Sequence, residues 1–152
     1  MARRARRPLR RVAAFWDASA LVPLCVHLGI TSQVIALHQN YQTVVWWSSR
    51  VEIASALARL VRMQQLSAVD YAQARKLAHD LADSWSEIQP SDAIRTRASL
   101  LVDRYDLRAS DSLQLAAALE WCEDAPPGRI LLTADSRLRE AALLSGFDTS
   151  KL

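Results

Sequence analysis

The chain has 152 residues, 51% of them hydrophobic and 23% charged. That balance fits one globular domain and excludes a disordered chain. With only three Gly and five Pro, a linker-rich or β-turn-rich protein is also excluded, and the Ala- and Leu-rich remainder favours helix. The net charge of +3 hides an asymmetry: MARRARRPLRR, residues 1–11, holds six Arg and no acid, and the rest carries 13 basic against 16 acidic residues. A basic, flexible arm over 1–11, suited to phosphate contacts, is therefore expected ahead of a single mildly acidic domain over 12–152.

The Arg-rich start and the apolar run after it look superficially like an export signal. Asp17 interrupts that run, and no small-residue cleavage site follows. A cytoplasmic location is expected. No stretch of 18 apolar residues lacks charge, so no membrane span is expected. Cys25 and Cys122 read as buried, inert thiols of a reducing compartment.

In chain order, RVAAFW (11–16) reads as a buried strand ending at Asp17. SALVPLCVHL reads as a helix capped by Asp17 or Ser19, with Pro23 tolerated near its first turn. QVIALHQN forms a second short helix, capped by Thr31 or Ser32. The β-branched and aromatic QTVVWW predicts a strand, with Trp46 and Trp47 on opposite faces of the sheet. Most of this Trp pair is core, with one ring available to stack on a base. SSRVEIASALARLVRMQQ is amphipathic, with Val51, Ala54, Leu57, Ala58 and Val61 on one face. Ser67 opens the helix SAVDYAQARKLAHDLADSW, EIQP makes a short strand, and Ser91 or Asp92 caps SDAIRTRASLLVDRY. LRASDSLQLAAAL begins a helix apolar nearly all round, hence buried, which APPG stops. RILLTA is a further buried strand, DSRLREAALLSG a helix ending at Gly146, and FDTSKL an edge strand. Short strands alternating with helices specify an α/β fold: a short parallel sheet flanked by helices in three layers.

Four carboxylates occupy equivalent places in this scheme. Asp17 and Asp135 follow strands and open helices; Glu52 and Asp111 lie in the first turns of theirs. Each alone satisfies ordinary capping and helix-dipole preferences. Asp111 fits that reading least well, since a carboxylate rarely enters a buried helix without a partner. In an open parallel sheet, ligands bind at the C-terminal ends of the strands, so four distant acids there would meet at one edge. Like charges need a counter-charge. No Lys, Arg or His is read as supplying it, and a hard divalent cation with oxygen ligands is the natural solution.

These segments carry a resemblance. FWDASALVPL, SSRVEIASALARL, LRASDSLQLAAAL and LLTADSRLREAA resemble, in order, the four motifs of PIN domains, covering the chain from about Val12 to Gly146. In size and loop length the chain is most similar to VapC-type toxins of bacterial toxin–antitoxin pairs. Ala18 departs from the family pattern, which often has a hydroxyl residue there; Ser19 is retained. The resemblance implies a PIN-like fold and an endoribonuclease that uses one or two Mg²⁺ or Mn²⁺ ions. Asp17, Glu52, Asp111 and Asp135 would be its metal ligands and catalytic acids, with Ser19 and Thr133 orienting them or their waters. It also implies an RNA substrate, a small antitoxin partner and growth arrest through inhibited translation. Surplus apolar helix surface and the resemblance both point to a homodimer.

Arg104 and Arg108 flank the third acid and read either as phosphate or antitoxin contacts or as solvated helix-end charges. His27, His38 and His79 are scattered and read as ordinary histidines. A PIN-like module that has lost activity and works through its partners stays open as an alternative. A receiver-like domain needs a site Lys, and Lys76 and Lys151 lie at no clear strand end. A metal-dependent phosphatase lacks its DxD pair at Asp17. No glycine-rich phosphate cradle is present.

Overall fold

A computed structural model describes residues 12–26 and 32–150; the predicted arm, His27 and the cap Thr31 lie outside them. The elements are β1 (Ala13–Trp16), α1 (Ala18–Cys25), α2 (Ser32–Asn40), β2 (Gln42–Trp46), α3 (Ser49–Arg62), α4 (Ala68–Ala82), β3 (Ser86–Ile88), α5 (Asp92–Arg104), α6 (Ala109–Trp121), β4 (Leu131–Leu132) and α7 (Ser136–Ser145). All strand pairs are parallel, in the order β3-β2-β1-β4.

Strand alternation builds two cores. Phe15, Val44, Trp46 and Leu131 point to one face and pack with Ile94, Leu101, Leu115, Ala118 and Leu138 of α5, α6 and α7. Ala14, Trp16, Val45 and Leu132 point to the other and pack with Leu21, Val34, Ile53, Leu57 and Ala74 of α1 to α4. Burial on both faces is why these strands read as unbroken apolar runs. Phe15, Leu115 and Leu138 have no exposed surface, and each such side chain stabilises the fold by about 1.5–3 kcal/mol relative to exposure.

The connections from β1 to β2 and from β2 to β3 run through the α1–α4 layer. The connection from β3 to β4 runs through α5 and α6 on the opposite face. The chain winds outward from β1, then returns to lay β4 on β1's other side. A switch of direction therefore falls between β1 and β4, and a crevice opens at the C-terminal ends of such a pair.

The expected strands and helices form, with local corrections. The strand expected over 129–134 is regular only at Leu131–Leu132. The described residues of FDTSKL, 147–150, contribute a parallel bridge, Asp148 to Ile130, in place of an edge strand. Pro23 sits sixth in α1, past the first turn, where its missing N–H leaves the Ser19 carbonyl without a helical partner. The buried face of α3 is Ser49, Ile53 and Leu57: of the expected stripe Leu57 is buried, Ala54, Ala58 and Val61 are half-buried, and Val51 is 67% exposed. Sheet and helix neighbours turned the first two turns so that Ile53 faces inward in place of Val51. Trp46, the last residue of β2, is buried, and Trp47, just past it, is half exposed. Gly146 ends α7 at φ +103°, a left-handed cap; a Cβ there would meet Pro126 at 3.3 Å. Cys25 and Cys122 are buried thiols, and burial pushes Cys25 up to about 11. Among the described residues no helix is long and apolar enough to cross a membrane.

Candidate functional site

Asp17 lies at the switch point, between the end of β1 and the start of α1. Its backbone N–H donates to the Leu132 carbonyl of β4 at 2.9 Å. It caps α1 by accepting from the Ser19 N–H at 3.3 Å. The capping role is met, yet the residue is only 5% exposed, far from the usual solvated cap. Two hydroxyls compensate: Ser19 Oγ donates to Asp17 Oδ2, and Thr133 Oγ1 donates to the same oxygen at 2.9 Å.

Beyond that carboxylate, Ser19 Oγ accepts from the Ala134 N–H at 2.9 Å, and Thr133 Oγ1 accepts from the Asp135 N–H at 3.0 Å. The two hydroxyls thus tie the end of β1 to the start of α7. All of these bonds to Asp17 fall on Oδ2, leaving Oδ1 outside the set. Burial is the main reason its carboxyl is held above the ordinary range. The Ser19 and Thr133 hydrogen bonds oppose that rise, and the charge of Glu52 adds to it.

Asp135 is the N-cap of α7; its Oδ1 accepts from the Leu138 N–H at 2.9 Å. Asp111, in the first turn of α6, accepts from the Arg108 N–H at 3.3 Å through Oδ2. Its carboxyl is also raised, first by burial and then by the charge of Asp135, with Asp17 adding a smaller push. Three segments distant in sequence therefore share one electrostatic neighbourhood. The expectation that no basic group attends the acids needs correction here: the charge of Arg108 lowers Asp111. Arg104, by contrast, lies over the Tyr105 ring at 5.4 Å, the position of an ordinary helix-end cation.

Glu52, in the first turn of α3, is held differently. Ser48 Oγ donates to its Oε1 at 2.5 Å, and Gln114 Nε2 donates to both carboxylate oxygens at 3.2 Å. Gln114 was not among the residues singled out from sequence. It has no exposed surface and stands three residues after Asp111, on the same face of α6. The signal available in the sequence was a polar amide inside the otherwise apolar LQLAAAL. Its Oε1 is buried without a hydrogen-bond partner among the described residues, which typically costs about 1–3 kcal/mol. Of the described histidines, His38 packs edge-on to Trp16, and His79 is exposed on α4.

The donor set suits a hard divalent cation: carboxylate oxygens and supporting hydroxyls. The geometry is open. No three carboxylate, His or Cys side chains among the described residues converge into a ready-made metal-binding group. Like charges oppose the convergence of carboxylates that nothing neutralises.

No protein-family model matches the chain, and no curated protein matches it by sequence. Solved structures do. A chain of VapBC2 from Rickettsia felis, crystallised with a DNA fragment from its promoter, aligns with a TM-score of 0.64 at 9% identity, covering 92% of this chain and all of that one. A Pyrobaculum aerophilum protein aligns at 0.62 and 22% identity, over 91% of this chain and 89% of its own. A chain of a toxin–antitoxin complex from Klebsiella pneumoniae aligns at 0.57 and 16% identity, over 82% and 88%. The protein thus has the PIN-like α/β fold, a four-stranded parallel sheet between two helical layers, with Asp17 at the point where that sheet changes winding direction.

Proposed function

We propose that this protein is a metal-dependent endoribonuclease of the VapC type, the toxin of a toxin–antitoxin pair. The observation that carries the proposal is Asp17. A carboxylate kept only for capping has no reason to be buried at a switch point and tied to Thr133, just past the end of β4. Likeness to chains from toxin–antitoxin complexes supports the toxin assignment.

In this reading Asp17, Glu52, Asp111 and Asp135 hold Mg²⁺ or Mn²⁺. When bound, the metal supplies an activated water and stabilises charge on the scissile phosphate and leaving oxygen. The chain's own groups do the positioning. Ser19 and Thr133 fix Asp17 through Oδ2 and leave Oδ1 to face the ligand. Capping of α7 pins Asp135 through one oxygen, and Arg108, beside Asp111, offers a positive charge to an incoming phosphate. The elevated Asp17 and Asp111 carboxyls give up protons as a cation binds, so metal affinity rises with pH.

The test is purified protein incubated with total cellular RNA, with Mn²⁺ and with chelator. Cleavage that requires metal and is lost in Asp17→Asn supports the reading; equal cleavage by wild type and variant refutes it. The alternative, a catalytically weak binding module, takes its support from the open geometry of the acids and predicts RNA or partner binding without cleavage. A small antitoxin laying an apolar helix on the toxin, and a homodimer, complete the proposal. Ile35 of α2, Trp47 after β2 and Val51 of α3 are exposed apolar side chains for such contacts. A monomer by light scattering at tens of micromolar, where even weak dimers form, counts against the dimer.

A further inference from the structure

Gln114 is built unlike the rest of its helix. Leu115, Ala116, Ala117 and Ala118 around it have no exposed surface and belong to the apolar interior. An apolar side chain of the same length would suit α6 equally well. The amide instead reaches α3, where Nε2 lies 3.2 Å from both oxygens of Glu52 and 3.5 Å from Ser49 Oγ. Its orientation is forced: turning the amide over would set Oε1 against a carboxylate. That orientation leaves Oε1 buried without a partner among the described residues. The amide thus spends one polar atom on Glu52 and leaves the other unsatisfied, a poor arrangement for stability alone.

We infer that Gln114 is a positioning residue that fixes the orientation of the Glu52 carboxylate from across the crevice, linking α6 to α3 at a cost in stability. The inference rests on the metal-nuclease reading. It extends that reading by giving the second acid a fixed orientation that neither its helix nor its own motif supplies: Ser48 reaches only Oε1, whereas Gln114 spans both oxygens. Asp111 and Gln114 then form one functional pair at i and i+3, one residue holding the cation and the other holding a ligand from across the crevice.

The experiment compares Gln114→Met, which keeps length and removes both polar atoms, with wild type, in the presence and absence of Glu52→Gln. Mn²⁺ binding is followed by electron paramagnetic resonance, and RNA cleavage and thermal midpoint are measured alongside. Gln114→Met should weaken Mn²⁺ about 10–100-fold, the usual effect of losing a group that orients a ligand. Its midpoint should stay level or rise, and it should have no further effect on Mn²⁺ affinity in the Glu52→Gln background. A lower midpoint with unchanged Mn²⁺ affinity would make Gln114 structural and overturn the inference while the nuclease reading stands. Equal losses in both backgrounds would also overturn it, since Gln114 would then not act through Glu52. If Gln114→Met fails to fold, Gln114→Asn keeps an amide one methylene short of Glu52 and should show the same weakened binding; wild-type affinity in that variant refutes the inference. If wild type neither binds Mn²⁺ nor cleaves RNA, the nuclease reading fails, and this inference with it.

Discussion

The mouths of α1 and α4 are chemically alike and physically different. Each pairs an Asp carboxylate with a Ser hydroxyl at a helix N-terminus. At α4, Ser67 caps through the Asp70 N–H at 3.1 Å and its hydroxyl donates to the Asp70 carboxylate at 2.6 Å. At α1, Asp17 caps and Ser19 donates to it. Ser67 and Asp70 are exposed, and their bonds end within one turn. Asp17 is buried, and its third partner, Thr133, comes from 116 residues away. A carboxylate–serine pair at a helix start is therefore no signature of function. What sets α1 apart is the burial of Asp17, with the charge of Glu52 raising it further.

Removing the charge at each mouth breaks the comparison most sharply. Asp17→Asn should lower metal-dependent RNA cleavage at least about 100-fold, because a direct ligand exceeds the 10–100-fold typical of groups that merely orient one. Asp111→Asn should act similarly and should not multiply with Asp17→Asn, as expected for residues of one unit. Asp70→Asn should leave cleavage within about twofold. Initial rates on a defined RNA with Mn²⁺ measure all three; a full loss in Asp70→Asn would erase the distinction.

The hydroxyls sharpen it at a smaller scale. Thr133→Val removes a donor to Asp17 and an acceptor for the Asp135 N–H, so Mn²⁺ affinity should fall about 10–100-fold. Ser67→Ala should leave that affinity alone and cost about 1 kcal/mol of stability, an ordinary cap loss. Calorimetric titration and denaturant unfolding separate the two effects.

The smallest effect is on pH. Asp17 and Asp111 are raised above their ordinary value of 3.8. Between that value and the raised one, the folded protein holds protons that the unfolded chain has released. Metal-free stability should therefore fall as pH rises through this window, and the penalty is absent below it. Glu87 works in the opposite sense: the hydrogen bond from Arg50 holds it down, a stabilisation lost as pH falls. The difference between wild type and Asp17→Asn in thermal midpoint against pH isolates the site. Asp17→Asn should be level with wild type at low pH and more stable above the window; identical profiles would show that burying Asp17 carries no penalty.

Most of the chain's local structure could be read from neighbours a few residues apart. Apolar runs marked β1 and β2, Ser67, Ser91 and Asp135 marked helix starts, and Gly146 marked the end of α7. The positions of the four acids were legible for the same reason, because each sits at a helix mouth that its own segment defines. Tertiary structure decided the rest. It chose Ile53 over Val51 as the inward face of α3, buried Trp46 and left Trp47 out, and reduced the last strand to two residues. It also separated Arg108, beside Asp111, from Arg104 on Tyr105. Above all it brought Thr133 to Asp17 and Gln114 to Glu52 across 116 and 62 residues. Capping and periodicity are energies of one helical turn, whereas burial of a charge depends on what the rest of the chain packs around it.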